Sequence, residues 1–109
     1  MEKQTYSESH LSMRKVKISE FDMMVVITGL NVMKDRYNAE KSAETVSVLS
    51  TALLYHKKMK PNKSKKIPFG PAEKRVIVHC LNDWRNAFLS EGKYPEAEQV
   101  GDTMTLFLK

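Results

Sequence analysis

The residues of this chain best suited to chemistry are eight basic side chains crowded between positions 57 and 75. They are Lys57, Lys58, Lys60, Lys63, Lys65, Lys66, Lys74 and Arg75. With Glu73 as the only acidic residue among them, this window carries +7, whereas the rest of the chain has ten basic and twelve acidic residues, or −2. Ammonium groups at this density bind the phosphates of a nucleic-acid backbone and release its counterions. We predict that these eight residues contact an anionic partner.

Three interpretations of this basic window stay open. Nucleic acid is the first, and lysine in place of arginine favours contacts to phosphates over the reading of base edges. Stacking on single-stranded bases has little support, because the nearby aromatic residues are Tyr55 and Phe69 at the edges of the window. An acidic protein surface is the second possible partner. The third interpretation is a solubilising segment that binds nothing.

The other reactive residues form no catalytic or metal-binding pattern. The three histidines, at positions 10, 56 and 79, are far apart in sequence, and no two of them have the one-turn spacing that puts two ligands on one helix face. Cys80 lies between Ile77 and Leu81, so we expect a buried and inert thiol. His79 and Asp83 are four residues apart, which is more typical of a solvated helix face than of an acid–base pair. We therefore predict a protein that is not an enzyme and that uses no metal and no cofactor.

The composition is typical of one small globular domain. The chain has 109 residues, of which 41% are hydrophobic and 28% charged. Residues 1–12 are polar and aperiodic, and we interpret them as a flexible arm before a single domain over 13–109. The single cysteine, the lack of a signal-peptide core and the lack of any run of about 18 apolar residues favour a cytoplasmic protein without a membrane partner.

Three helices are predicted to form the core. The first begins at Ser19, whose hydroxyl can cap the helix while Asp22 reaches back towards it. The β-branched run at 25–29, which ends in glycine, would also suit a strand and a turn. The cap and a long apolar stripe at spacings of three and four favour a helix. The stripe consists of Met23, Val26, Ile27, Leu30, Met33 and Tyr37.

The second and third predicted helices flank the basic window. The second begins at about Ala39 or Ser42 and ends at Lys58. It has apolar residues on two sides, which indicates a helix between neighbours or one that meets a second copy of the protein. The third has Pro71 in its first position and ends at Gly92. Its core-facing row recurs at steps of four, three and four: Ile77, Leu81, Trp84 and Phe88.

Two terminal strands complete the predicted fold. Residues 13–18 end with Val16 and Ile18 on one face, and residues 103–108 also alternate, with a hairpin from 96–100 as an option. Since neither strand has another evident partner, we predict that they pair. The result is an α+β, helix-dominated fold of order β-α-α-α-β, with a basic loop at 60–70. This loop is too long for a helix-turn-helix unit, which disfavours a winged helix.

The predicted function is a non-enzymatic binding or regulatory protein that contacts nucleic-acid phosphates through the lysine-rich loop. The alternative is a small protein–protein inhibitor or adaptor that forms a homodimer through the second helix. The small size and the scarcity of motifs are similar to those of accessory proteins that phages and mobile elements encode, many of which block host enzymes or defence systems. This similarity is limited to size and the scarcity of motifs and does not rest on any aligned residues.

Overall fold

Helices make up most of the chain in the computed structural model, which describes residues 15–33 and 39–108. The helix-dominated α+β class is therefore confirmed. The predicted arm at 1–12 and Tyr37 of the apolar stripe lie outside the described residues. The elements within the described ranges are β1 (Val16–Ser19), α1 (Glu20–Met33), α2 (Ala39–His56), β2 (Ser64–Ile67), α3 (Pro71–Ser90) and α4 (Tyr94–Thr105).

The first helix begins where its capping residues predict. The Asp22 amide donates a hydrogen bond to the Ser19 hydroxyl at 3.0 Å, and that hydroxyl donates to Asp22 Oδ2 at 2.9 Å. The region 25–29 is helical, because the cap and the apolar stripe outweigh the strand preference of the β-branched residues. The buried residues of α1 follow the predicted stripe: Met23, Val26, Ile27, Gly29, Leu30 and Met33.

The helices α1 and α3 pack directly against each other in the core. A Cβ atom on Gly29 would lie 2.9 Å from Leu81 Cδ2 and 2.9 Å from Trp84 Cε3, so the absence of a side chain lets the two helices approach closely. Leu81 is fully buried, as the sequence predicts for the row on α3. Trp84 and Phe88 are half-buried, and their ring centroids lie 5.2 Å apart. The predicted face of α3 is therefore confirmed.

Both ends of α3 also agree with the sequence. Pro71 occupies the first turn, where a missing amide hydrogen costs nothing, and Gly70 is the capping residue. At the other end Gly92 adopts a φ of 75°, the left-handed conformation that favours glycine. The Lys93 amide then donates to the Phe88 carbonyl at 2.9 Å, which satisfies a carbonyl of the last turn.

The strand predicted over 103–108 is wrong, because α4 covers the first half of this region and a turn follows. Pro95 lies in the first turn of α4. Proline is compatible with the first turn of a helix as well as with a loop, so Pro95 does not exclude a helix here. The alternation at 103–108 covers only six residues, whereas a helical pattern extends over eleven. The buried residues of that pattern are Ala97, Val100, Thr103 and Phe107.

The predicted pairing of β1 with a C-terminal strand is also wrong. β1 pairs antiparallel with β2, which lies inside the segment that we expected to be a loop at 60–70. Ile67 and Phe69 are completely buried and attach this lysine-rich segment to the core. Because α1 and α2 come between the two strands, the order of the described elements is β-α-α-β-α-α.

Candidate nucleic-acid interface

The backbone between α2 and β2 is held by hydrogen bonds. The Lys63 amide donates to the Lys60 carbonyl at 3.1 Å, which closes a turn with Pro61 and Asn62 at its centre. Asn62 has a φ of 64°, and proline followed by such a residue is typical of a type II turn. The Lys63 carbonyl accepts from the Glu20 amide at 2.9 Å, which connects the turn to the start of α1. The basic segment is therefore an ordered turn followed by a strand.

Seven of the eight predicted contact residues are exposed. These are Lys57, Lys58, Lys60, Lys63, Lys65, Lys66 and Arg75. Lys74 is the exception, since only 6% of it is exposed. It lies three residues before Ile77 and seven before Leu81, and these spacings place it on the buried face of α3. Lys74 therefore lies against the core, and its contact with a partner stays a prediction.

β1 adds two exposed lysines that the sequence interpretation missed. Lys17 is the register partner of Lys66, and both are exposed. Lys15 is exposed two residues earlier, on the same side as Lys17 by strand alternation. The sequence shows that lysine alternates with Val16 and Ile18. That these lysines lie beside the basic segment follows only from the pairing of β1 with β2.

We call the exposed lysines of the strands and the preceding turn the lysine surface. Its members are Lys15, Lys17, Lys57, Lys58, Lys60, Lys63, Lys65 and Lys66. Two ion pairs of the described residues, His56–Glu20 and Lys93–Glu91, include no member of this surface. Lys58 Nζ lies 5.9 Å from the centre of the Tyr55 ring, a cation–π distance. The surface thus has a high density of ammonium groups without neutralising carboxylates in the described part of the chain.

The nearest acidic residue along the chain, Glu20, is already engaged. Its Oε2 lies 2.7 Å from His56 Nε2, so the start of α1 and the end of α2 are joined beside the lysine surface. This contact fixes the position from which the turn at 57–63 leaves α2. It also occupies the carboxylate that follows β1 directly in sequence.

Cys80 and His79 are adjacent on α3 but differ in their exposure to solvent. Cys80 is fully buried, as predicted, and its thiol donates to the Gly29 carbonyl at 3.2 Å. Burial, with a smaller contribution from Asp83, raises the pKa of Cys80 to about 12, so the reactive thiolate is disfavoured. His79 is exposed, as expected for a solvated helix face. Within 15–33 and 39–108, no cluster of three or more His, Cys, Asp or Glu residues suits a metal ion.

A second surface of interest lies on α2. No charged residue occurs between 45 and 55, although more than a quarter of the chain is charged. One side of this stretch is buried through Val48 and Ala52. The opposite side exposes 60% of Val46, 45% of Leu53 and 54% of Leu54. The prediction of apolar residues on two sides of the second helix is therefore confirmed.

Comparisons with known proteins identify no relative of this chain. No family model, no curated protein and no solved structure matches the chain. None of the helices in the described ranges has the length and the apolar character needed to cross a bilayer.

Proposed function

We propose that the protein binds nucleic acid without catalysis, through contacts between its lysine surface and backbone phosphates. The observation that carries the proposal is the convergence of two basic segments, 15–17 and 57–66, by the pairing of β1 with β2. The strand pairing and the type II turn order the backbone that presents these lysines, so less conformational entropy is lost on binding than with a loose loop. A cytoplasmic location, which would also keep the single thiol reduced, belongs to the same proposal.

The charge density sets the expected dependence on salt. If six lysines each neutralise one phosphate of duplex DNA, log affinity falls against log salt concentration with a slope of about −5. Between 50 and 200 mM salt the affinity then falls about a thousandfold. A protein that met nucleic acid through only one or two surface lysines would show a slope of about −1 to −2.

Fluorescence anisotropy with a labelled duplex of about 20 base pairs, titrated at several salt concentrations, tests this proposal. The diagnostic variant replaces Lys60, Lys63, Lys65 and Lys66 with glutamine, and we expect its slope to fall in magnitude by about 3 to 4. Lys93→Gln is the control, because Lys93 is exposed but lies beyond α3 and close to Glu91. Absence of binding by the wild type at 50 mM salt, or an unchanged slope in the fourfold variant, would contradict the proposal.

A second candidate function, a protein–protein inhibitor or adaptor, is supported by the uncharged face of α2. Charged residues are depleted from the cores of protein interfaces, and Ser47 and Ser50 between the exposed apolar residues permit close approach of another helix. The expected assembly is a homodimer through Val46, Leu53 and Leu54. Sedimentation of the wild type and of Leu53→Glu at tens of micromolar tests it, since the substitution should dissociate a dimer. If the wild-type protein sedimented as a monomer at this concentration, the proposal of a homodimer would be contradicted.

A further inference from the structure

The β1–β2 ribbon has one buried face and one lysine-bearing face. Val16 and Ile67 are opposite each other in the register and are both buried, which defines the core face. Side chains alternate along a strand, so the next residues of each strand belong to the outer face. The exposed residues of the outer face are Lys15, Lys17, Ser64 and Lys66. No acidic and no large apolar side chain interrupts them.

The pairing of Lys17 with Lys66 does not serve the stability of the ribbon. Residues directly opposite in an antiparallel pair have Cβ atoms about 5 Å apart, and like charges at that spacing are destabilising. Both side chains are exposed, and neither has a carboxylate partner among the described residues. An anion placed over the ribbon would relieve this repulsion. The pair is therefore better explained by an anionic ligand than by folding.

We propose, on the basis of the proposed function, that this outer face enters the major groove of B-form duplex DNA. The groove is about 12 Å wide and about 8.5 Å deep and admits a two-stranded ribbon. The strands of such a ribbon lie about 4.8 Å apart, and four residues extend over about 13 Å, so a ribbon of this size fits. Lysines on the outer face then reach phosphates on the groove walls or the acceptor atoms of guanine.

The same geometry disfavours the other nucleic acids. The major groove of A-form RNA is deep and narrow and does not admit protein elements of this width. Single strands are usually held by stacking on aromatic rings, and the outer face presents none. A preference for duplex DNA therefore distinguishes groove docking from attraction to any polyanion. The lysines outside the ribbon, among them Lys57 and Lys58, contribute phosphate contacts without this preference.

The test compares three labelled probes of equal length: a DNA duplex, an RNA duplex of the same sequence and the single DNA strand. We expect the wild type to bind the DNA duplex about tenfold or more tightly than either alternative at equal salt. Lys17→Gln combined with Lys66→Gln should abolish this preference and reduce the salt slope on duplex DNA by about 2. Lys57→Gln combined with Lys58→Gln, which removes the same charge, should reduce the slope equally but keep the preference.

The outcomes separate the two proposals. If the wild type binds none of the probes at 50 mM salt, the proposed function fails; if it binds all three equally, only groove docking fails. A Lys17/Lys66 double variant that retains the duplex preference also overturns groove docking. Displacement of the DNA by polyglutamate at equal charge concentration would assign the face to an acidic protein instead. Because the double variant relieves a repulsion, its melting temperature should not fall, so its loss of binding does not arise from unfolding.

Discussion

The contact between α1 and α3 gives a sharp prediction for Gly29→Ala. The added Cβ would lie 2.9 Å from both Leu81 Cδ2 and Trp84 Cε3, closer than ordinary van der Waals contact. Leu81 is fully buried, and overpacking against a buried side chain costs about 1–3 kcal/mol. The better helix propensity of alanine offsets up to about 1 kcal/mol. With the full offset, we therefore expect a net loss of about 1 kcal/mol in the free energy of unfolding, the middle of the resulting range.

Urea denaturation followed by Trp84 fluorescence, with thermal unfolding by circular dichroism, measures this loss. A loss of 1 kcal/mol should lower the melting temperature by about 4–8 °C in a domain of this size. Gly101→Ala in α4 is the matched control, because its Cβ would meet Arg85 Nε at 3.3 Å, and this flexible side chain can move away. The control should gain up to about 1 kcal/mol. If Gly29→Ala were as stable as Gly101→Ala, the close approach of the two helices would be refuted.

Two further predictions concern buried polar groups. Thr103 is 1% exposed, and its Oγ1 donates a hydrogen bond to Asp22 Oδ1 at 2.6 Å. We expect Thr103→Val to lower the free energy of unfolding, measured by urea denaturation, by about 1–3 kcal/mol. A variant as stable as the wild type would contradict the contribution of this hydrogen bond. Burial raises the pKa of Cys80 from 9.0 to about 12 in the folded protein, so the unfolded chain loses the thiol proton at a lower pH. The free energy of unfolding therefore falls as the pH rises from about 9 to about 12. The difference in unfolding free energy between wild type and Cys80→Ala should therefore fall by roughly 1 kcal/mol per pH unit above pH 9, and a flat difference would contradict the raised pKa.

The features that the sequence predicts correctly are those with local causes. Ser19 and Asp22 cap α1 by contacts across three residues, and Gly92 ends α3 by a backbone conformation that its neighbours do not control. The buried faces of α1 and α3 follow from helical periodicity over long stretches. Lys74 is buried although its charge suggests exposure, because its spacing from Ile77 places it on the buried face of α3.

The features that the sequence interpretation missed depend on contacts between distant segments. The partner of β1 is set by tertiary packing, and lysine is uncommon in strands, so Lys65 and Lys66 gave β2 the composition of a loop. The alternation of the buried residues Ile67 and Phe69 was the one signal of a strand in this segment. The error at 103–108 came from reading a period of two over six residues, where the helical pattern is longer and therefore decides.

Under the proposed function, the pairing of β1 with β2 decides which nucleic acids the lysines would recognise. A connector without fixed structure adapts its charges to any polyanion and discriminates by charge number alone, whereas a ribbon with Lys17 opposite Lys66 presents them in one shape. Discrimination between duplexes of equal charge then depends on the width of a groove. For this reason two pairs of lysines with the same total charge, Lys17 with Lys66 and Lys57 with Lys58, are not expected to be equivalent. Their difference on DNA and RNA measures how far the ribbon, and not the charge alone, determines binding.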